Sequence, residues 1–294
     1  MRLLVTGVYA MQVIAMDEEL LAHSSLGQPA RGAGTTSNIL YFHGDRVFTA
    51  CSGDSRAVLG CYGHGGKKKG KIIAKDLSRD HKPDLPEERK RIEKAGGVVS
   101  QAGPRGLPPS RVWVNGRVGL AMSRSIGDGE AKGSGVIPDP EIVETKLKPC
   151  VDATSEGDAF IIVASDGIWE FISSQQACEV IQKHADNATA GCEELVKLAV
   201  DRWMEEEGSY RDDITCIIAF LPFLEDRPDE SYETAPGVVV DDASIFLQAD
   251  QGDSPGKPVP KQEANHEDFA KRRLSVAGAN FDVRRPPTPP ALPS

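Results

Sequence analysis

The chain has 294 residues, a formal net charge of −10, and 39% hydrophobic and 27% charged residues. That length suits one or two domains with a real core, and the acidic balance argues against a nucleic-acid binder that works by neutralising phosphates. Six cysteines with no Cys-x-x-Cys pair argue against structural zinc and a compact disulfide framework, and fit a reducing cytoplasmic or nuclear setting.

Residues 3–16 are mildly apolar, but Thr6, Gly7 and Gln12 interrupt them and Asp17-Glu18-Glu19 follows at once. Neither a signal peptide nor a span of ~20 apolar residues is expected, and no membrane partner. Over 11–23, Val13, Ile14, Leu20 and Leu21 recur among acidic residues and predict an amphipathic helix. Residues 27–34 read as a loop. The runs 38–43 and 46–52, joined by Gly44-Asp45, predict a hairpin whose short turn matches strand twist. A second hairpin is expected from 57–62 and 72–76, with Gly63-His64-Gly65-Gly66 and Lys67 to Lys69 as its solvated tip. Residues 86–95 predict a helix ended by Gly96-Gly97, and Val98-Val99 restart a strand. Helical spacing returns over 174–184 and 192–206, where Trp203 belongs to the core.

Carboxylates at strand ends carry the chemistry. The apolar run 159–163 delivers Asp166 into Ser165-Asp166-Gly167-Ile168-Trp169-Glu170. Arg211-Asp212-Asp213-Ile214-Thr215 opens the run 216–221, and Cys51-Ser52-Gly53-Asp54-Ser55-Arg56 repeats the arrangement earlier. Hard divalent cations such as magnesium or manganese need oxygen ligands converging from several segments, so three such aspartates suggest a metal site.

The chain resembles the metal-dependent protein phosphatases of the 2C type, which act on phosphoserine and phosphothreonine. The resemblance rests on Gly34-Thr35-Thr36, Gly53-Asp54-Ser55-Arg56, Asp80-His81-Lys82-Pro83, Ala95-Gly96-Gly97, Met122-Ser123-Arg124-Ser125-Ile126-Gly127-Asp128, Pro138-Asp139-Pro140 and the Asp166 and Asp212 segments, in order from about residue 11 to 221. It implies an α/β (α+β) fold, a β-sandwich of two antiparallel sheets flanked by helices. It also implies a magnesium or manganese cofactor and phosphoprotein substrates. By the same resemblance Asp166 and Asp212 are ligands of a first metal. Asp54 and Glu170 match a weaker third, with Glu170 where an aspartate is usual.

Family members carry an Asp-Gly-His-Gly-Gly segment ahead of the first motif found here, and this sequence shows none, so the sandwich is expected to be N-terminally incomplete. Gly63-His64-Gly65-Gly66 does not replace it, because Tyr62 stands in place of the aspartate and the run follows Gly53-Asp54 instead of preceding it. His81 reads as structural, and Arg56 and Arg124 as scaffold ion-pair residues. No catalytic side chain beyond the metal ligands is assigned. The alternative functions are a catalytically impaired phosphatase-like binding module and a fragment of a longer phosphatase.

The expected organisation is a helix and loop over 1–30, a phosphatase-like domain over 31–222, and a mostly disordered regulatory tail over 223–294. The tail holds 10 of the 20 prolines and no cysteine. Within it, Lys271-Arg272-Arg273-Leu274-Ser275-Val276 resembles a cyclic-AMP-dependent kinase site, making Ser275 a phosphorylation candidate and a basophilic kinase a candidate partner. Thr288, between Pro287 and Pro289, resembles a proline-directed site.

Overall fold

The structure is a computed structural model that describes residues 2–23, 29–63, 70–114, 116, 118–150, 156–184 and 187–221. The expected hairpin tip with His64 and Lys67 to Lys69, and the tail with Ser275 and Thr288, lie outside the described residues. The chain divides into two units, Met1–Arg227 and Pro228–Ser294, and all described residues belong to the first.

Two antiparallel sheets form the centre. One has the order β10-β3-β2, from β2 (Ser37–His43), β3 (Arg46–Ser52) and β10 (Glu141–Lys146). The other has the order β12-β11-β4-β5, from β4 (Arg56–Tyr62), β5 (Ile72–Asp76), β11 (Gly157–Ala164) and β12 (Cys216–Phe220). Successive side chains of a strand point to opposite faces. On β4 and β11 both faces are covered, so these strands read as continuous apolar runs. Leu59 and Ile161 pack into one core with Val47 of β3 and Leu40 of β2, between the sheets. Val58, Phe160 and Ile162 pack on the other side against Ala177, Ile181, Leu195 and Ala199. Those four come from α6 (Ser174–Gln182) and α7 (Ala188–Glu207). Helix α6 begins with a capping box, Ser173 and Gln176 each accepting from the other's backbone N–H.

A satellite sheet, β6 (Val98–Ser100), β7 (Arg111–Val114) and β8 (Val118–Leu120), packs with α3 (Pro86–Lys94) around Ile92, Val112 and Val114. The first helix, α1, runs over Arg2–Ala22, well before the expected start at residue 11. Thr6 and Gly7 read as interruptions but lie inside one continuous helix, and a Cβ at Gly7 would meet nothing within 4 Å. Near its other end, buried Asp17 accepts from the Gly127 N–H at 2.6 Å and pairs with Lys132 at 3.0 Å. Strand β1 (Gly34–Thr35) pairs with β9 (Ile126–Gly127) beside it. Among the described residues no helix is long and apolar enough to cross a membrane.

Candidate functional site

Three segments end at one place. Strand β11 feeds Asp166 into the first position of α5 (Asp166–Trp169), and Glu170 follows one helical turn later. Asp54 sits in the turn between β3 and β4 and is 1% exposed. That turn needs Gly53, whose φ of 115° is left-handed and whose backbone lies against the Thr36 side chain with no room for a Cβ. Asp212 lies in the exposed stretch leading into β12.

The Asp166 and Asp212 segments are clamped together. Ser165 N–H donates to the Thr215 carbonyl and Thr215 N–H to Ser165 Oγ, each at 3.1 Å. Ser165 Oγ donates to the Asp213 carbonyl at 3.1 Å. A Cβ on Gly167 would collide with that same Asp213 carbonyl, so only glycine allows the two segments this approach. Trp203 Nε1–H donates to the Gly167 carbonyl at 2.8 Å and fixes α5 to α7.

Electrostatics shows that Asp166 feels the charges of the other three carboxylates. Burial pushes Asp166 up, and the neighbouring charges of Asp54 and Asp212 push it further, to about 7, with Lys82 only partly opposing them. Burial likewise raises Glu170. The cation among them is Lys82, whose Nζ lies 2.7 Å from Asp54 Oδ2. Burial works against its charge, but Asp54, Glu170 and Asp80 outweigh that and hold the ammonium above its usual range. The other oxygen, Asp54 Oδ1, is buried and has no hydrogen-bond partner among the described residues. Asp54 is therefore not a turn aspartate satisfying backbone N–H groups.

Two adjoining cavities open over this cluster, and Lys82, Asp166 and Glu170 line both. One of about 270 Å³ reaches Arg56, Asp80 and Ser110. One of about 520 Å³ reaches Arg111, Phe171, Trp203, Tyr210 and Asp212. An orphaned buried carboxylate oxygen and a set of four carboxylates are the donor chemistry of a hard divalent cation. Their spacing is open, however: among the described residues no three His, Cys, Asp or Glu side chains are grouped as an ion requires. Asp54 is paired with the Lys82 ammonium instead.

The arginines and histidine of the motifs are scaffold. Arg56 forks onto Asp80 at 2.8 and 2.7 Å, donates to Ser174 Oγ at 3.1 Å and lies over the Trp169 ring. Arg124 grips buried Glu88. His81 is fully buried, accepts from the Gly53 N–H at Nδ1 and has its pKa lowered chiefly by burial.

The family model of protein phosphatase 2C matches residues 7–208. The chain belongs to that family. It is 40% identical over 215 residues to "Probable protein phosphatase 2C 69" of Arabidopsis thaliana, a match covering 73% of this chain and 50% of the relative. To "Probable protein phosphatase 2C 71" of the same plant it is 39% identical over 211 residues, covering 72% and 39%. This phosphatase 2C chain thus spans about half the length of the curated relatives it matches, or less. The solved serine-threonine phosphatase 2C of Toxoplasma gondii shares its fold, with a TM-score of 0.61 at 23% identity over 74% of this chain and 67% of that one. A C. elegans sex-determining protein matches at a TM-score of 0.52 and 20% identity, over 71% and 45%.

Motif reading named Asp166 and Asp212 for a first metal and Asp54 and Glu170 for a weaker third in this phosphatase 2C domain; the structure brings the other three near Asp166, and the reading missed Lys82. The signal was present in Asp80-His81-Lys82-Pro83, where His81 drew attention and Lys82 is the residue that reaches the carboxylates.

Proposed function

We propose that this domain hydrolyses phosphoserine and phosphothreonine in proteins, using magnesium or manganese held by Asp166 and Asp212, with Asp54 and Glu170 at the weaker third position. The observation that carries the reading is that Asp166, Glu170 and Asp212 line one cavity of about 520 Å³, with Asp54 near enough for its charge to raise Asp166. Bound there, such an ion neutralises charge on a phosphoryl group and lowers the pKa of water. The chain's own residues do the rest. The Gly167 contact and the Ser165 hydrogen bonds hold Asp166 and Asp212 at fixed separation. Lys82 balances the cluster while it is open. Trp203 and Phe171 form an apolar wall that limits solvent beside the carboxylates. In the net reaction a water oxygen bonds to phosphorus, the phosphorus–oxygen ester bond breaks, and the leaving side-chain oxygen takes a proton.

A second reading, a phosphopeptide-binding module without turnover, is favoured by the open spacing of the carboxylates. Manganese-dependent hydrolysis of a phosphothreonine peptide, run beside Asp166→Asn, separates the two. The phosphatase reading expects turnover that Asp166→Asn abolishes. Saturable binding of the peptide by folded protein, with no phosphate released, would establish the second reading instead.

A further inference from the structure

Cys192 and Cys216 face each other where α7 packs on β12. On β12 the alternation is clear: Cys216, Ile218 and Phe220 pack against the helix-side core, while Ile217 is 68% exposed. On α7, Cys192 precedes Leu195 and Ala199 by three and seven positions, so it shares their face, and both are buried in that same core. The helix and strand are close here, since a Cβ at Gly191 would lie 3.4 Å from Ile218 Cδ1. The Cys192 and Cys216 thiols lie within hydrogen-bonding reach of each other, and Cys192 within reach of the Ile218 backbone. Both thiols are free and only partly buried.

These contacts polarise the pair in opposite directions. The hydrogen bond with Cys216 holds the Cys192 thiol below its usual range against the opposing effect of burial. The same bond, with burial, holds Cys216 above it. One sulfur is thus inclined toward thiolate, the form that attacks oxidants, and the other remains a thiol beside it.

We propose that Cys192 and Cys216 are a modification site for peroxides, closing to a reversible disulfide that tethers α7 to β12. The Cys192 thiolate attacks one peroxide oxygen, the O–O bond breaks, and hydroxide leaves and takes up a proton to become water. Cys192 is then a sulfenic acid. The Cys216 sulfur displaces its hydroxyl as a second water, giving the S–S bond. Two thiols and one hydrogen peroxide become one disulfide and two waters, and a dithiol reverses the oxidation. The strand so tethered continues directly from Asp212, Asp213 and Thr215, the segment clamped to Ser165 beside Asp166. The bridge stands on the close packing of α7 on β12, which sets the two cysteines on facing sides. Its effect on turnover rests on the proposed phosphatase reading.

The test treats the full chain with hydrogen peroxide and maps tryptic peptides by mass, with and without dithiothreitol. The expected product is a dithiothreitol-sensitive link between the peptides carrying Cys192 and Cys216. Cys216→Ser should strand Cys192 as a sulfenic acid that dimedone traps, and Cys192→Ser should leave Cys216 alkylatable. A cooperative melt of each variant confirms that it is folded. Peroxide that leaves both thiols alkylatable, or oxidises them without linking them, overturns the proposal. Oxidised wild type should lose turnover by about tenfold, because small displacements of reacting groups are costly, and Cys192→Ser should keep its rate. A link with unchanged turnover overturns the coupling to the site. A link in protein that never turns over leaves the modification site established and the phosphatase reading refuted.

Discussion

At the scale of single residues, the carboxylate cluster opposes its own folding. Asp166 rises from its ordinary 3.8 to about 7 because burial and the charges of Asp54 and Asp212 penalise its ionised form. A carboxyl whose folded pKa is raised contributes stability that is fully present below the unfolded value and lost as pH rises through the folded one. Metal-free protein should therefore gain from Asp166→Asn at pH 8, by about 2 kcal/mol once solvent relaxation is allowed for. The gap should narrow as pH falls toward 4.5, and urea melts of both proteins in EDTA read it directly. A gap that stayed constant would show that Asp166 does not carry the penalty. Lys82 acts the other way. Lys82→Met leaves Asp54, 1% exposed, without its cation, which should cost about 3 kcal/mol in EDTA. With the competing ammonium removed, manganese should bind roughly tenfold tighter by calorimetry, as divalent ions take the place of a displaced charge. Equal or weaker manganese binding in the variant would refute the view of Lys82 as resident counter-ion.

Among the elements, legibility followed burial. Strands β3, β4 and β11 are covered on both faces or nearly so, and their apolar runs stand out in the sequence. Strands β7 and β10 did not stand out. β10 lies at the edge of its sheet and spends Glu141, Glu144 and Lys146 on ion pairs, so its composition resembles a loop. Helix α1 was read nine residues short at its start because Gly7 is a poor helix former in isolation, while tertiary contacts such as the Asp17 bond to Gly127 hold its far end. For the site, strand-end position revealed the carboxylates, but no local pattern relates Lys82 to Asp54, 28 residues apart in sequence. One element-level anchor is testable. Burial pushes the Glu88 carboxyl up, yet Arg91, Arg124 and Ser123 hydrogen bonds outweigh it and hold Glu88 far below the usual carboxylate range. A depressed carboxyl contributes stability above its unfolded pKa, here 4.5, and loses it as pH falls toward the folded one. Glu88→Gln should thus destabilise the domain at pH 7 by about 3 kcal/mol by leaving two arginines short of their acceptor. Below pH 4 the penalty should shrink, as thermal melts across that range would show.

For the molecule as a whole, the open question is what covers its sheet edges. β12 ends the four-stranded sheet with Ile217 68% exposed, and β2 ends the three-stranded one with Ile39 and Tyr41 each 37% exposed. An edge strand offers unpaired backbone N–H and C=O groups, and with apolar side chains outward it is a template for another chain. Charged side chains pointing outward are the common natural remedy, and on β12 the exposed position carries isoleucine. The chain should therefore self-associate as concentration rises, and sedimentation velocity should show a broadening distribution. Ile39→Lys with Ile217→Lys places a charge on each edge without touching the residues that face either core, so the double variant should sediment as a monomer at the same concentrations. Were the wild type monodisperse and cooperatively melting at those concentrations, the edges would already be protected by twist and side-chain cover. Should the double variant associate as strongly as the wild type, the contact would lie elsewhere than on β2 and β12.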